Sequence, residues 1–203
     1  MKIYDYPQAP NPRRVRIFLA EKGIEIPFET VDITKRTNRE PAFLAKNPLG
    51  GIPVLELDDG TCIAESVAIC RYFEALHPEP PLFGTTPLEQ ARIEMWLRRV
   101  ELGMMVPIGM VWIHGHPLTA GLLKQIPEAA EQNRHRAAQF YEFLDKELAG
   151  REFLAGDDYT VADAVGLATL DFGTGLVGVP YDESFAHLAR WHSAMRERPS
   201  ARA

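Results

Sequence analysis

The chain has 203 residues, 46% hydrophobic and 25% charged, which is the balance of a globular protein with length for one large or two small domains. Its net charge of −6 argues against nucleic-acid binding, which needs a basic face, and no apolar run reaches the ~18 residues of a membrane span. Two cysteines, Cys62 and Cys70, fit no zinc or redox spacing; they exclude a disulfide framework and read as small buried hydrophobes.

The opening residues MKIYDYPQ read as a strand, not as a charged head followed by an apolar secretion signal, so a reducing cytoplasm is expected. The strand, 2–6, runs into a proline-rich turn and then a helix over 13–22, with Val15, Phe18 and Leu19 on one face. Gly23 suits the left-handed position that closes a helix. A second strand is predicted over 27–33 and a short helix over 38–48, closed by Pro48. Val54–Leu57 and Cys62–Ala64 form a hairpin around Asp59-Gly60. A helix over 66–76 follows, with Val67, Ile69, Cys70, Phe73 and Leu76 apolar.

This β-α-β-α-β-β-α order predicts a parallel pair through a right-handed crossover and an antiparallel pair. The expected fold is an α/β N-terminal domain with a mixed four-stranded sheet and helices on both faces. It occupies 1–78, and the Pro- and Gly-rich 79–87 reads as a linker. Residues 88–203 read as an all-α domain, with helices over 88–113, 127–149, 161–172 and 184–197.

Three motifs carry more than fold. In GGIPVL, 50–55, Pro53 precedes a strand after a Gly-rich bend, a candidate cis peptide. The N–H and C=O of Ile52 would then be free to pair with an extended peptide. In AESVAICRYFEAL, 64–76, Glu65 and Ser66 stand at a strand-to-helix junction. Ser66 can cap the helix and donate to an anion, and Glu65 offers a carboxylate to an ammonium group. Together they would hold the zwitterionic end of an amino acid. In FLAGDDYTVADAVGL, 153–167, Thr160 and Asp163 form a variant capping box, with Tyr159 and Ala164 at the staple positions. That motif is a folding element.

In this order and spacing, the stretches at 47–55, 65–72 and 153–163 resemble the cytosolic glutathione transferase family, over essentially the whole chain. The resemblance implies a thioredoxin-like N-terminal domain that binds glutathione as co-substrate, an all-helical C-terminal domain, a hydrophobic acceptor pocket between them, and a homodimer. It implies that Ile52, beside cis Pro53, pairs with the cysteinyl part of glutathione, and that Glu65 and Ser66 hold the γ-glutamyl end. Many relatives carry Lys or Gln where Gly51 stands, so that contact is missing. Asn38 matches a polar position that reaches the glycine carboxylate in some bacterial relatives; it also reads as a capping residue for the helix at 39–46.

Relatives with a catalytic Ser or Cys place it where this chain has Ala9, which has no side-chain donor. Tyr4 and Tyr6 lie near the place of a catalytic tyrosine, but the following turn does not match. The stretch APNPRRVRIFL is most similar to a bacterial, Nu-like branch in which an asparagine lies beside the thiol, and Asn11 matches it. Arg13, Arg14 and Arg16 would add positive potential there, although such arginines usually stand in solvent.

On the acceptor side, the Met-rich ELGMMVPIGMVWIHGHP, 101–117, suits a permissive apolar site. One or two of Met104, Met105, Pro107, Ile108 and Trp112 are expected to line it. His114-Gly115-His116 reads as a loop, and no metal is expected. The expected activity is ionisation of bound glutathione for attack on apolar electrophiles, a cytoplasmic detoxification chemistry. Alternatives are glutathione-dependent disulfide or peroxide reduction, and a non-catalytic scaffold that binds a protein partner.

Overall fold

A computed structural model describes all residues, 1–203. The chain divides into two compact units, Met1–Leu82 with Pro199–Ala203, and Phe83–Arg198. The last five residues thus return to the first unit, which the sequence reading placed with the helices.

The first unit is built on strands β1 (Lys2–Asp5), β2 (Phe28–Thr30), β3 (Val54–Glu56) and β4 (Cys62–Ala64). Their order is β2-β1-β3-β4, with β1 parallel to β2 and the other pairs antiparallel. Side chains alternate across the sheet. On one face Tyr4, Val31 and Val54 pack with Phe43 of the short helix α2 (Pro41–Leu44). Ile3 and Leu55, out of phase with these, are fully buried on the other face, on which helices α1 (Pro10–Glu21) and α3 (Ser66–Leu76) pack together.

Several boundaries differ from the sequence reading. Helix α1 begins at Pro10, three residues early, because a proline in the first turn needs no N–H partner and presets φ. It ends as expected at Gly23, whose φ is +64°. The second strand is only three residues long, because Asp32 caps a 3-10 turn at Ile33–Lys35. The helix expected over 38–48 splits into a 3-10 turn, Thr37–Arg39, and α2. Pro41 forces Glu40 into an extended conformation with ψ 147°, which breaks the run.

The second unit is helical: α4 (Pro87–Arg99), α5 (Val106–Gly115), α6 (Pro127–Leu148), α7 (Val161–Asp171) and α8 (Ala186–Glu197). The helix expected over 88–113 carries a π-helical segment, Val100–Met105, just before Pro107. The wider turn accommodates a residue without an N–H. Gly103 in that segment lies so close to Phe140 that a Cβ would stand 2.3 Å from its ring.

Asp163 anchors this unit. Fully buried, it accepts hydrogen bonds from Leu154 N–H (2.9 Å), Thr160 N–H (3.0 Å), Thr160 Oγ1 (3.1 Å) and Trp191 Nε1 (3.0 Å). The expected capping box between Thr160 and Asp163 is present. Burial pushes the Asp163 carboxyl up against the pull of its donors. Tyr159 packs edge-on to Phe153 and beneath the Arg198 guanidinium. No helix is long and apolar enough to cross a membrane.

Candidate functional site

The loop before β3 and the junction before α3 lie side by side, because β3 and β4 are antiparallel neighbours with Val54 opposite Ala64. The Ile52–Pro53 peptide is cis. Ile52 is half-buried, and neither its N–H nor its C=O is engaged by the chain.

Across the hairpin, Glu65 has φ 70° and ψ 120°, a conformation that a non-glycine residue adopts at a cost of about 1–3 kcal/mol. Its carboxylate is exposed and has no partner in the chain. Ser66 is the first helical residue of α3 and not its cap, a position taken by Glu65. The buried Ser66 hydroxyl instead accepts from Nη1 of Arg14 at 3.5 Å. An arginine only donates, so the serine keeps its own proton for an outside acceptor. Glu65 and Ser66 therefore set an unpaired anion beside a hydroxyl donor at a helix start.

The arginines of α1 are anchored, contrary to their reading as solvated. Arg14 is buried, and its charge reaches the Cys70 thiol, which burial pushes up. Arg16 pairs with the buried Asp5 and donates to Pro7 O at 2.7 Å. Arg13 donates to Ala201 O at 3.1 Å. Glu74 on α3 pairs with Lys22 at 2.7 Å.

At the first turn, Ala9 is the residue before the helix, and Asn11 lies between Pro10 and Pro12. Neither proline has an N–H, so Asn11 alone among the first three helical residues brings a backbone donor. Its half-buried carboxamide makes no hydrogen bond within the chain. Tyr4 is committed elsewhere: its hydroxyl donates to Glu56 Oε2 at 2.6 Å, beside Lys46, which bonds the same carboxylate at 2.8 Å.

Asn38 caps no helix. One of its Nδ2 protons goes to Gly50 O at 2.8 Å, and the amide keeps a second. In the helical unit, Met104, Pro107 and Ile108 are buried, whereas Met105 and Trp112 are half-buried. Trp112 packs against His116 with ring centres 4.3 Å apart and the planes tilted by 30°. His114 and Gly115 complete α5 instead of forming a loop, and His116 Nδ1 accepts from Leu118 N–H. No group of three or more His, Cys, Asp or Glu is placed so that it could hold a metal ion.

The glutathione S-transferase N-terminal domain family matches residues 3–81, and the glutathione S-transferase C-terminal domain family matches 105–199. Glutathione S-transferase 2 of Saccharomyces cerevisiae is 39% identical, over 100% of this chain and 88% of its own length. The chain belongs to the glutathione S-transferase family. The crystal structure of Gtt2 from the same yeast superposes with a TM-score of 0.94 at 39% identity, covering 100% of this chain and 99% of that one. A glutathione S-transferase domain-containing protein of Marinobacter aquaeolei VT8 has the same TM-score at 41% identity, with 98% and 99% covered. Elongation factor 1-gamma-A of Xenopus laevis is 30% identical over 99% of this chain, which spans 45% of that protein.

Two buried polar residues beside these motifs do not stand out in the sequence. Arg14 reads as surface, although its spacing from Val15 and Phe18 puts it near the apolar stripe of α1. Asn47 is buried and bonded on both sides of its amide, yet it entered the reading only as part of a motif. The Asn before Pro48, at the end of a short helix, was the available signal.

Proposed function

We propose that this chain binds glutathione on residues 1–78, lowers the pKa of its thiol, and delivers the thiolate to an apolar electrophile held by the helical domain, 88–203. The observation that carries the reading is Glu65: an unpaired carboxylate on a strained backbone, beside Ser66, whose hydroxyl proton is free to donate. That pair suits the ammonium and carboxylate of a γ-glutamyl end, and the unengaged backbone of Ile52 beside Pro53 suits the cysteinyl unit. The second amide proton of Asn38 is assigned to the glycine carboxylate.

Thiol activation is assigned to Asn11. A free thiol with a pKa near ~8.5 is only a few per cent ionised at neutral pH, and the nucleophile belongs to glutathione, so the protein needs only to stabilise an anion. The Asn11 amide, its N–H and the start of α1 supply donors without a protein base. Each unit of pKa lowering corresponds to about 1.4 kcal/mol of preference for the thiolate. The turn also supports placement in the bacterial, Nu-like branch. Met105 and Trp112 are the half-buried members of the proposed acceptor set. The reading extends to a cytoplasmic homodimer in detoxification.

A second reading, a protein-binding scaffold, draws on Ala9, which brings no hydroxyl or thiol to the turn, and on Gly51, which brings no side chain. Calorimetric titration with glutathione separates the two. Binding below millimolar concentration supports the enzyme, and no binding at millimolar ligand removes it. Turnover of aryl halides against 2-hydroxyethyl disulfide then divides transferase from reductase.

A further inference from the structure

Asn47 is a buried residue with both ends of its amide committed to one short loop. Its Nδ2 donates to Gly51 O at 2.9 Å, and its Oδ1 accepts from Leu49 N–H at 3.2 Å. Asn38 Nδ2 donates to Gly50 O at 2.8 Å, and Arg39 Nη1 donates to Leu49 O at 2.9 Å. Three successive carbonyls, 49 to 51, are thus held by three different side chains. Gly50 sits among them with φ +65°, where a Cβ would stand 2.8 Å from both Asn38 O and Arg39 Nη1.

The consequence for Ile52 follows from peptide geometry. The carbonyl of Gly51 and the N–H of Ile52 belong to one planar unit, and this peptide is trans, so the two point in opposite directions. Fixing one fixes the other. We infer that Asn47 is a positioning residue for glutathione: by holding Gly51 O, its amide aims the Ile52 N–H at the cysteinyl unit before ligand arrives. Preorganisation of this kind raises affinity by removing an ordering cost from the binding step. The inference rests on the glutathione reading above. It does not extend to Asn38 in the same sense, because the Gly50 carbonyl shares its plane with the Gly51 N–H and not with that of Ile52.

The test uses Asn47→Asp and Asn47→Ala in the full chain. Asp keeps the acceptor for Leu49 N–H but sets an oxygen against Gly51 O. Both variants should raise the Kd for glutathione about tenfold, with KM rising in step and kcat at saturation unchanged. γ-Glutamylcysteine should lose the same factor as glutathione, because the contact lies on the cysteinyl unit. Asn38→Ala should leave γ-glutamylcysteine binding within twofold. A loss confined to glutathione, or a Kd for Asn47→Asp within twofold of the wild type, overturns the inference.

If both Asn47 variants fail to fold, the wild-type Ile52 amide decides. An NMR order parameter near ~0.85 without ligand supports preorganisation, and one below about 0.6 overturns it. Glu65→Ala distinguishes the two levels of failure. If it weakens binding while Asn47→Asp does not, only the inference falls. If the wild type binds no glutathione, the functional reading falls and takes the inference with it.

Discussion

Arg14 on α1 and Ser66 on α3 are joined side chain to side chain, the guanidinium donating to the hydroxyl at 3.5 Å with both residues buried. The contact gives the serine a single role. Its oxygen accepts from Arg14, and its proton is left for another acceptor. Arg14→Met should remove this orientation and the positive charge beside Ser66. Glutathione affinity should fall by about tenfold, the scale of one charge-assisted hydrogen bond. Arg14→Lys should recover less than half of the binding energy, since an ammonium lacks the planar fork. Calorimetry on the three proteins checks the order.

Asn11→Ala should raise the pKa of the bound glutathione thiol by about one unit, the effect of losing one donor to an anion. Thiolate absorbance in the ultraviolet, titrated against pH, measures it. An unchanged titration would take the Asn11 side chain out of the mechanism, leaving its backbone N–H as the donor.

Asp163→Ala should be among the most destabilising single changes in the helical unit. It strands the N–H groups of Leu154 and Thr160 and the indole of Trp191, at about 1–3 kcal/mol for each donor that water cannot reach. A combined loss of about 3–5 kcal/mol is expected from chemical unfolding. Thr160→Ala, which leaves the carboxylate in place, should cost about 1 kcal/mol.

Acid should loosen the segment that starts at Asp32. Its carboxylate accepts from Thr34 Oγ1, pairs with the Lys35 ammonium at 3.2 Å and accepts from the N–H groups of Thr34 and Lys35, and these contacts pull its pKa down from 3.8 to about 2. A carboxyl depressed by folding contributes stability above its unfolded value and loses it as pH falls through the folded one. Protection of the amides across residues 32–39, taken relative to the intrinsic exchange rate at each pH, should therefore fall as pH drops from about 4 toward 2. In Asp32→Asn that fall in protection should be absent.

The order of strands and helices in the first unit was legible because alternating and helical periodicities change over at Gly and Pro. What escaped has physical causes. A proline-rich stretch reads as a turn, although Pro10 and Pro12 sit inside α1, since the first turn of a helix needs no internal donors. The π-helical segments at Val100–Met105 and Phe172–Val177 shift hydrogen bonds by one residue and leave little trace in the apolar pattern. Arg14 was hidden because charged residues are read outward by default. The proposed site residues divide in the same way. Glu65 and Ser66 announce themselves by chemistry at a strand-to-helix junction, whereas Asn47 acts on a carbonyl, and carbonyls have no letter in a sequence.

The backbone at Glu65 gives the site a different standing under selection for heat resistance. Glycine tolerates φ near 70° without the penalty that a Cβ brings, even after its greater freedom in the unfolded chain is subtracted. Glu65→Gly should therefore melt at the same temperature as the wild type or a few degrees above it, while binding less glutathione. A library sorted only for thermal survival would drift toward glycine at this position and fill with robust proteins that no longer hold their ligand. Sorting must include a binding step for the strained glutamate to persist.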